Sequence, residues 1–199
     1  RCGMKLGEIA QIKTGLVLSR KKAKMDFDIK AKYELVSLGN LDEEGLFNTK
    51  PFELFESNTV LDDRYFTKAK DIIFRFTYPY TAVHIGRSHE GLLIPSSFGV
   101  IQVHHPNFLS EYVAWYLNSK FIKHELEKAQ SGSMIASTNK NILQNLEINE
   151  IPLEKQQKIT DLLQLYQKEK LLHEQLVKEK GKLVQAVTTQ LLINEEEQK

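Results

Sequence analysis

The chain has 199 residues, 41% of them apolar, and carries 27 Lys+Arg against 26 Asp+Glu for a net charge of +1. These values suit one core-forming domain of ordinary size and exclude both intrinsic disorder and a globally basic nucleic-acid binder. No run approaches 18 apolar residues, no signal-like stretch follows Met4, and the lone Cys2 excludes an internal disulfide or a cysteine-rich zinc site. The expectation is a soluble, cytoplasmic chain without a membrane segment.

From Lys5 to about Val103 the pattern is short and strand-like, with frequent breaks. Its first feature is basic. Lys13, Arg20, Lys21, Lys22, Lys24, Lys30 and Lys32 stand against Asp26 and Asp28 alone, a local charge of +5 around "KTGLVLSRKKAK". Such a run is ordinarily a solvated face, and it gains meaning only if other loops bring donors beside it. "YELVSLGNL" alternates weakly and ends in "DEEG", where Gly45 is available for positive φ. "DIIFRFTYPY" reads as a strand running into a turn, because Pro79 cannot donate to a central ladder. "FGVIQVHH" is a further strand. Together these runs predict an α+β chain: a twisted, mostly antiparallel sheet or partial barrel with packed helices.

The period then turns helical. "PNFLSEYVAWYLNSKFIKHELEKA" offers Ser110 as an N-cap and Glu111 at the positive end of the helix dipole, with Val113, Leu117 and Phe121 on one stripe. A small, polar loop follows, in which seven of the nine residues from Ser131 to Asn139 are Ser, Gly, Ala, Thr or Asn. Ser137 or Thr138 is then placed to cap a short helix, "NKNILQNL", and an extended "EINEI" ends at Pro152.

Proline suits a first helical turn, and no further proline occurs. A helix over residues 153–192 would be about 60 Å long. Within it Leu165, Leu172, Leu176, Leu183, Val187 and Leu191 recur at 7- and 4-residue steps, interrupted by Glu169 and Glu179–Lys180. This is the seam of a short coiled coil with polar breaks, and it predicts a partner helix. The organisation expected is a domain over 4–152, the long helix over 153–192 and a frayed polar tail over 193–199.

Several loops supply short hydroxyl and amide side chains beside Arg and Lys: Arg75, Thr77, Tyr78 and Tyr80; Arg87; Ser96 and Ser97; Ser131, Ser133, Ser137, Thr138, Asn139 and Lys140. Such groups suit phosphate oxygens and base edges. Enzymatic readings fare worse. "TYPY" lacks the Asn/Asp-Pro-Pro-aromatic pattern of an amino-methyltransferase, and no glycine-rich cofactor loop precedes it. Asp62 and Asp63 are neighbours that would diverge on an extended segment, as would His104 and His105, so neither pair makes a metal site. A scaffold that displays a dimerising helix without touching DNA stays open.

"LGEIAQIKTG", "AKDIIFRFTYPY" and the block "YVAWYLNSKFIKHELEKAQSGSMIASTNKNILQNLEINEIPLEKQQKI" together resemble the specificity subunits of type I restriction–modification systems. The most telling part is the "P-L-E-x-Q-x-x-I" pattern, present as Pro152 to Ile159, that opens the long helix. The resemblance implies a non-catalytic target recognition domain followed by a spacer helix. It also implies double-stranded DNA as a partner, with a modification subunit that carries S-adenosylmethionine and methylates adenine. A restriction subunit can join, so S-adenosylmethionine, ATP and Mg²⁺ are expected on partner subunits and no cofactor on this chain. Two-domain members carry twice this pattern, so the chain is expected to be either a half-length subunit that forms a homodimer through Leu165, Leu172, Leu176, Leu183 and Val187, or a fragment of a longer subunit. In that frame Lys13, Arg20, Lys21 and Lys22 are expected to neutralise phosphates. Arg75, Tyr78, Tyr80 and Arg87, with Thr14, Thr77 and Ser97 beside them, are expected to meet base edges or grooves. Ser131, Ser133, Asn139 and Lys140 are expected to hold the DNA backbone or touch bases.

Overall fold

The computed structural model describes residues 3–128 and 137–196, and these form an α+β domain followed by a long helix. The two ends of the domain meet: β1 (Gly3–Lys5) pairs antiparallel with β8 (Glu147–Asn149). A one-turn helix, α1 (Leu6–Ile9), leads into β2 (Ala10–Thr14). β3 (Ala31–Leu35) and β4 (Glu53–Ser57) make a separate two-stranded ribbon. β5 (Ile72–Arg75), β6 (Ala82–His84) and β7 (Phe98–Val103) complete a four-stranded sheet in the order β2-β7-β5-β6, antiparallel throughout.

Ile72, Ile73 and Phe74 are all fully buried, which explains why this strand reads as a continuous apolar run rather than an alternating one. Ile73, Val83, Phe98 and Val100 gather with Val36, Ile85, Leu92 and Ile94 into the main core. A second cluster of Leu16, Leu35, Phe55, Leu61 and Leu93 lies under the β3–β4 ribbon. At the free edge of β6, where α2 (Ser110–Leu117) packs, the side chain of Asn118 takes the place of a further strand. Its Nδ2 donates to Ala82 O at 2.7 Å and its Oδ1 accepts from Ala82 N at 2.9 Å. An edge strand is thereby satisfied by one amide. The predicted "DEEG" turn has Gly45 at φ +86°, and a Cβ there would strike Asn118 Nδ2.

Three helical details differ from expectation. The single helix expected over "PNFLSEYVAWYLNSKFIKHELEKA" is two, α2 and α3 (Lys120–Lys128), broken where Asn118 turns to the sheet edge. Ser110 is not the N-cap, which is Leu109; the Ser110 hydroxyl instead bonds Glu111 Oε2 at 3.1 Å and lies 3.1 Å from His84 Nε2. Asn139, rather than Ser137 or Thr138, caps α4 (Lys140–Gln144).

The long helix, α5, runs Leu153–Glu196 and so continues through four residues of the tail expected to fray. The chain divides into two compact units, 1–157 and 158–199, so the first turn of α5 belongs to the globular unit. Gln156 explains why. Fully buried, it accepts from Leu109 N at 2.9 Å and donates to Asn107 O at 2.7 Å and Ile151 O at 2.8 Å. One amide thus joins the approach to α2 with the start of α5. Gln156→Ala removes the partner of three part-buried backbone groups and opens a cavity at a buried position, and is expected to cost about 2–4 kcal/mol. In a chain of this size the thermal midpoint would fall by roughly 5–15 °C, and an unchanged midpoint would show that the clamp is dispensable.

Candidate nucleic-acid interface

The antiparallel register decides which loops meet. Thr14 pairs with Gly99 and Arg75 with Phe98, so the end of β2, the end of β5 and the start of β7 share one end of the sheet. Three further contacts gather the loops there. Leu16 N donates to Ile94 O and Ser96 N returns a bond to Leu16 O, both at 2.8 Å. This approach is so close that a Cβ on Gly15 would collide with the carbonyl oxygen of Pro95. Phe76 N donates to Ser97 O at 3.1 Å, and Phe76 O accepts from Thr138 N at 2.7 Å. Thr77 and Ser137 make an antiparallel bridge beside it.

Phe76 is therefore a main-chain hub. Around it stand Thr14, Arg75, Thr77, Tyr78, Ser97 and Ser137, drawn from positions 123 residues apart in sequence, and from Thr138 the chain leads on through Asn139 to Lys140, which lines the cleft described below. Arg75 Nε donates to Thr77 Oγ1 at 3.0 Å, which holds the guanidinium at the strand end. Tyr78 is 60% exposed, on the turn closed by Tyr80 N donating to Thr77 O at 3.0 Å. Asn139 spends its Oδ1 on Asn141 N and Ile142 N, at 2.9 and 3.1 Å, so its capping role fixes Lys140 as an exposed first helical residue.

The other sequence candidates fall elsewhere. Tyr80 is fully buried at φ +52°, and its hydroxyl has no partner among the described residues. It is a core residue that shapes the turn, not a groove contact, and burial with the nearby Glu127 raises its phenol pKa. Arg87 follows His84, which pairs with Ile72, so it sits at the opposite end of the β5–β6 pair from Arg75. Lys21 and Lys22 belong to the β3–β4 ribbon: Asn58 N donates to Lys21 O at 2.9 Å, and Lys22 bridges Ser57. Arg20, just before them, is exposed. Lys13 Nζ donates to Gln102 Oε1 at 3.0 Å, and Gln102 Nε2 donates to the buried Asp71 at 3.0 Å, a polar row across the sheet face. Ser131 and Ser133 lie outside the described residues.

Sequence reasoning passed over Gln11, Gln102 and Gln144. With His104 and Lys140 they line a cleft of about 680 Å³ beside β2 and α4. The signal was there: Gln11 and Lys13 alternate with the buried Ala10 and Ile12, as on a half-exposed edge strand. Amide and ammonium donors at such a cleft suit polar base edges and phosphate oxygens. Among the described residues no group of three or more His, Cys, Asp or Glu side chains could hold a metal ion, and no helix is long and apolar enough to cross a membrane.

An antiparallel sheet with flanking short helices, a polar loop-built end and a long C-terminal helix defines a recognition-domain-plus-helix architecture. The family profile described as the type I restriction modification DNA specificity domain matches residues 3–179, and the chain belongs to that family. Its fold is similar to a chain from a structural study of complex assembly and conformational transition of a type I R-M system. That match has a TM-score of 0.65 and 17% identity, and covers 87% of this chain and 44% of that one. The HsdS subunit from Thermoanaerobacter tengcongensis matches with a TM-score of 0.62 and 19% identity, over 88% of this chain and 44% of that one. The type I restriction-modification S subunit from M. genitalium matches at 0.52 and 12%, over 84% and 39%. The chain thus spans less than half the length of these relatives. A search of curated protein sequences gives no significant match.

Removing the buried Tyr80 hydroxyl leaves no stranded partner among the described residues. Tyr80→Phe is therefore expected to keep or slightly raise the thermal midpoint; a loss of more than about 1 kcal/mol would reveal a hydrogen bond to that oxygen.

Proposed function

We propose that the chain reads double-stranded DNA through the Phe76-centred end of its sheet, as the specificity component of a type I restriction–modification complex. The observation that supports this best is the convergence of Arg75, Thr77, Tyr78, Ser97 and Ser137 on one end of a domain of the DNA specificity family. Hydroxyl, amide, aromatic and cationic groups on loops anchored to a rigid sheet are the means by which a protein holds phosphates and senses base edges. The basic Arg20–Lys22 segment adds a second, sequence-blind attraction that weakens with salt.

On this reading the chain performs no chemistry. A partner modification subunit would bind S-adenosylmethionine and methylate adenine at the site this chain selects, and a restriction subunit would cleave. We further propose that it pairs with a second copy through the exposed apolar stripe of α5, each copy reading one half of an interrupted palindrome.

Two substitutions separate the roles. Lys21→Ala should weaken binding to selected and random duplexes alike and lower the salt dependence by about one counterion. Arg75→Ala should cost about 1–3 kcal/mol on the selected sequence and relax preference at one position. Equal losses on both duplexes from both variants would contradict the division.

The reading itself is tested by selecting bound sequences from random duplex DNA, with and without a modification subunit. An enriched inverted repeat with a fixed gap is expected. A single short motif would mean that one copy reads alone, and no enrichment would favour a scaffold that never touches DNA.

A further inference from the structure

The outward seam of α5 carries its own instruction for pairing. Eight residues, Leu162, Leu165, Glu169, Leu172, Leu176, Lys180, Leu183 and Val187, follow steps of three and four and fall within an arc of roughly 80° on a helix of 3.6 residues per turn. Its six apolar members are 46–68% exposed, a stripe that water disfavours. The order is palindromic in chemistry. Counted from either end, the third residue is charged, and the two charges are opposite in sign.

We infer that two copies of α5 pair antiparallel in a single register, set by Glu169 of each copy against Lys180 of the other. This rests on the self-pairing proposed above and goes beyond it by naming the residues that choose the alignment. With the two-fold axis beside Glu174, Leu162 meets Val187 of the second copy, Leu165 meets Leu183, and Leu172 meets Leu176. The Glu169–Lys180 pair then forms twice, once on each side of the axis. A parallel in-register pair would instead set Glu169 against Glu169 and Lys180 against Lys180. Sliding one antiparallel helix by a heptad would seat Glu169 on Leu172 and Lys180 on Leu162, or, in the other direction, on Val187 and Leu176. An unpaired charge inside a helix seam is strongly unfavourable, and one polar position is enough to fix register. Among the described residues Glu169 has an exposed contact with His173 at 3.8 Å, which leaves it accessible to a better partner.

A heptad slip would move one helix along the other by about 10 Å, so the charge pair fixes the alignment of the two helices to within one heptad.

The test uses the full chain and two single variants, E169K and K180E, each checked by circular dichroism and followed by analytical ultracentrifugation. The wild type should be dimeric at tens of micromolar. Either variant alone opposes like charges twice and should dimerise at least about tenfold more weakly. An equimolar mixture restores both opposite pairs, so it should recover the dimer as one copy of each, read by native mass spectrometry. A dimeric wild type whose variants associate equally well, with no preference in the mixture, would overturn the register and leave self-pairing intact. A monomeric wild type would overturn self-pairing, and the register with it.

Discussion

The main chain of Phe76 joins three segments at one end of the sheet. Its N–H goes to Ser97 and its carbonyl receives Thr138, so the segment between β5 and β6 is held by the loop before β7 on one side and by Thr138 on the other. None of these bonds involves a side chain. The side chains around the hub can consequently differ in chemistry while their starting points stay fixed. The hub depends on the sheet beneath it. Ile72, Ile73 and Phe74, all fully buried, anchor β5 between β7 and β6 and thereby set where Arg75 and Phe76 emerge.

The second anchoring group is an amide used as a substitute for backbone. Asn118 closes the β6 edge, and Gln156 ties the approach to α2 to the first turn of α5. Both are polar groups in apolar surroundings, and both are satisfied. Gln156 is also the glutamine of the Pro152–Ile159 pattern that opens α5, so the sequence signature and the structural clamp coincide. The pattern marks the seam between a globular unit and its helix.

Much of this was legible from sequence because the period of the hydrophobic pattern reports the element directly. The strands at 72–75 and 98–103, the turn at Gly45, and the helix after Pro152 were each expected close to where they lie. What escaped depended on contacts distant in sequence. Tyr80 looked like an exposed tyrosine among polar neighbours, yet its positive φ turns it inward, and a local pattern cannot report that. Arg87 seemed to belong with Arg75, only twelve residues away, but the hairpin reverses between them and sends them to opposite ends. Ser110 has the chemistry of a cap and is drawn instead to Glu111 and His84. Gln11 on the edge strand β2 and Gln102 beside it on β7 were passed over because a glutamine on a strand resembles ordinary surface until α4 closes one side of the cleft.

The claim that the Phe76-centred end of the sheet meets DNA is tested most directly by hydrogen–deuterium exchange of the full chain with and without a bound duplex. Slower exchange is expected at Thr14–Gly15, across Arg75–Thr81, at Ser96–Ser97 and at Thr138–Lys140, with residues 86–91 unchanged. Protection confined to residues 86–91, or no protection within the globular unit, would contradict the account.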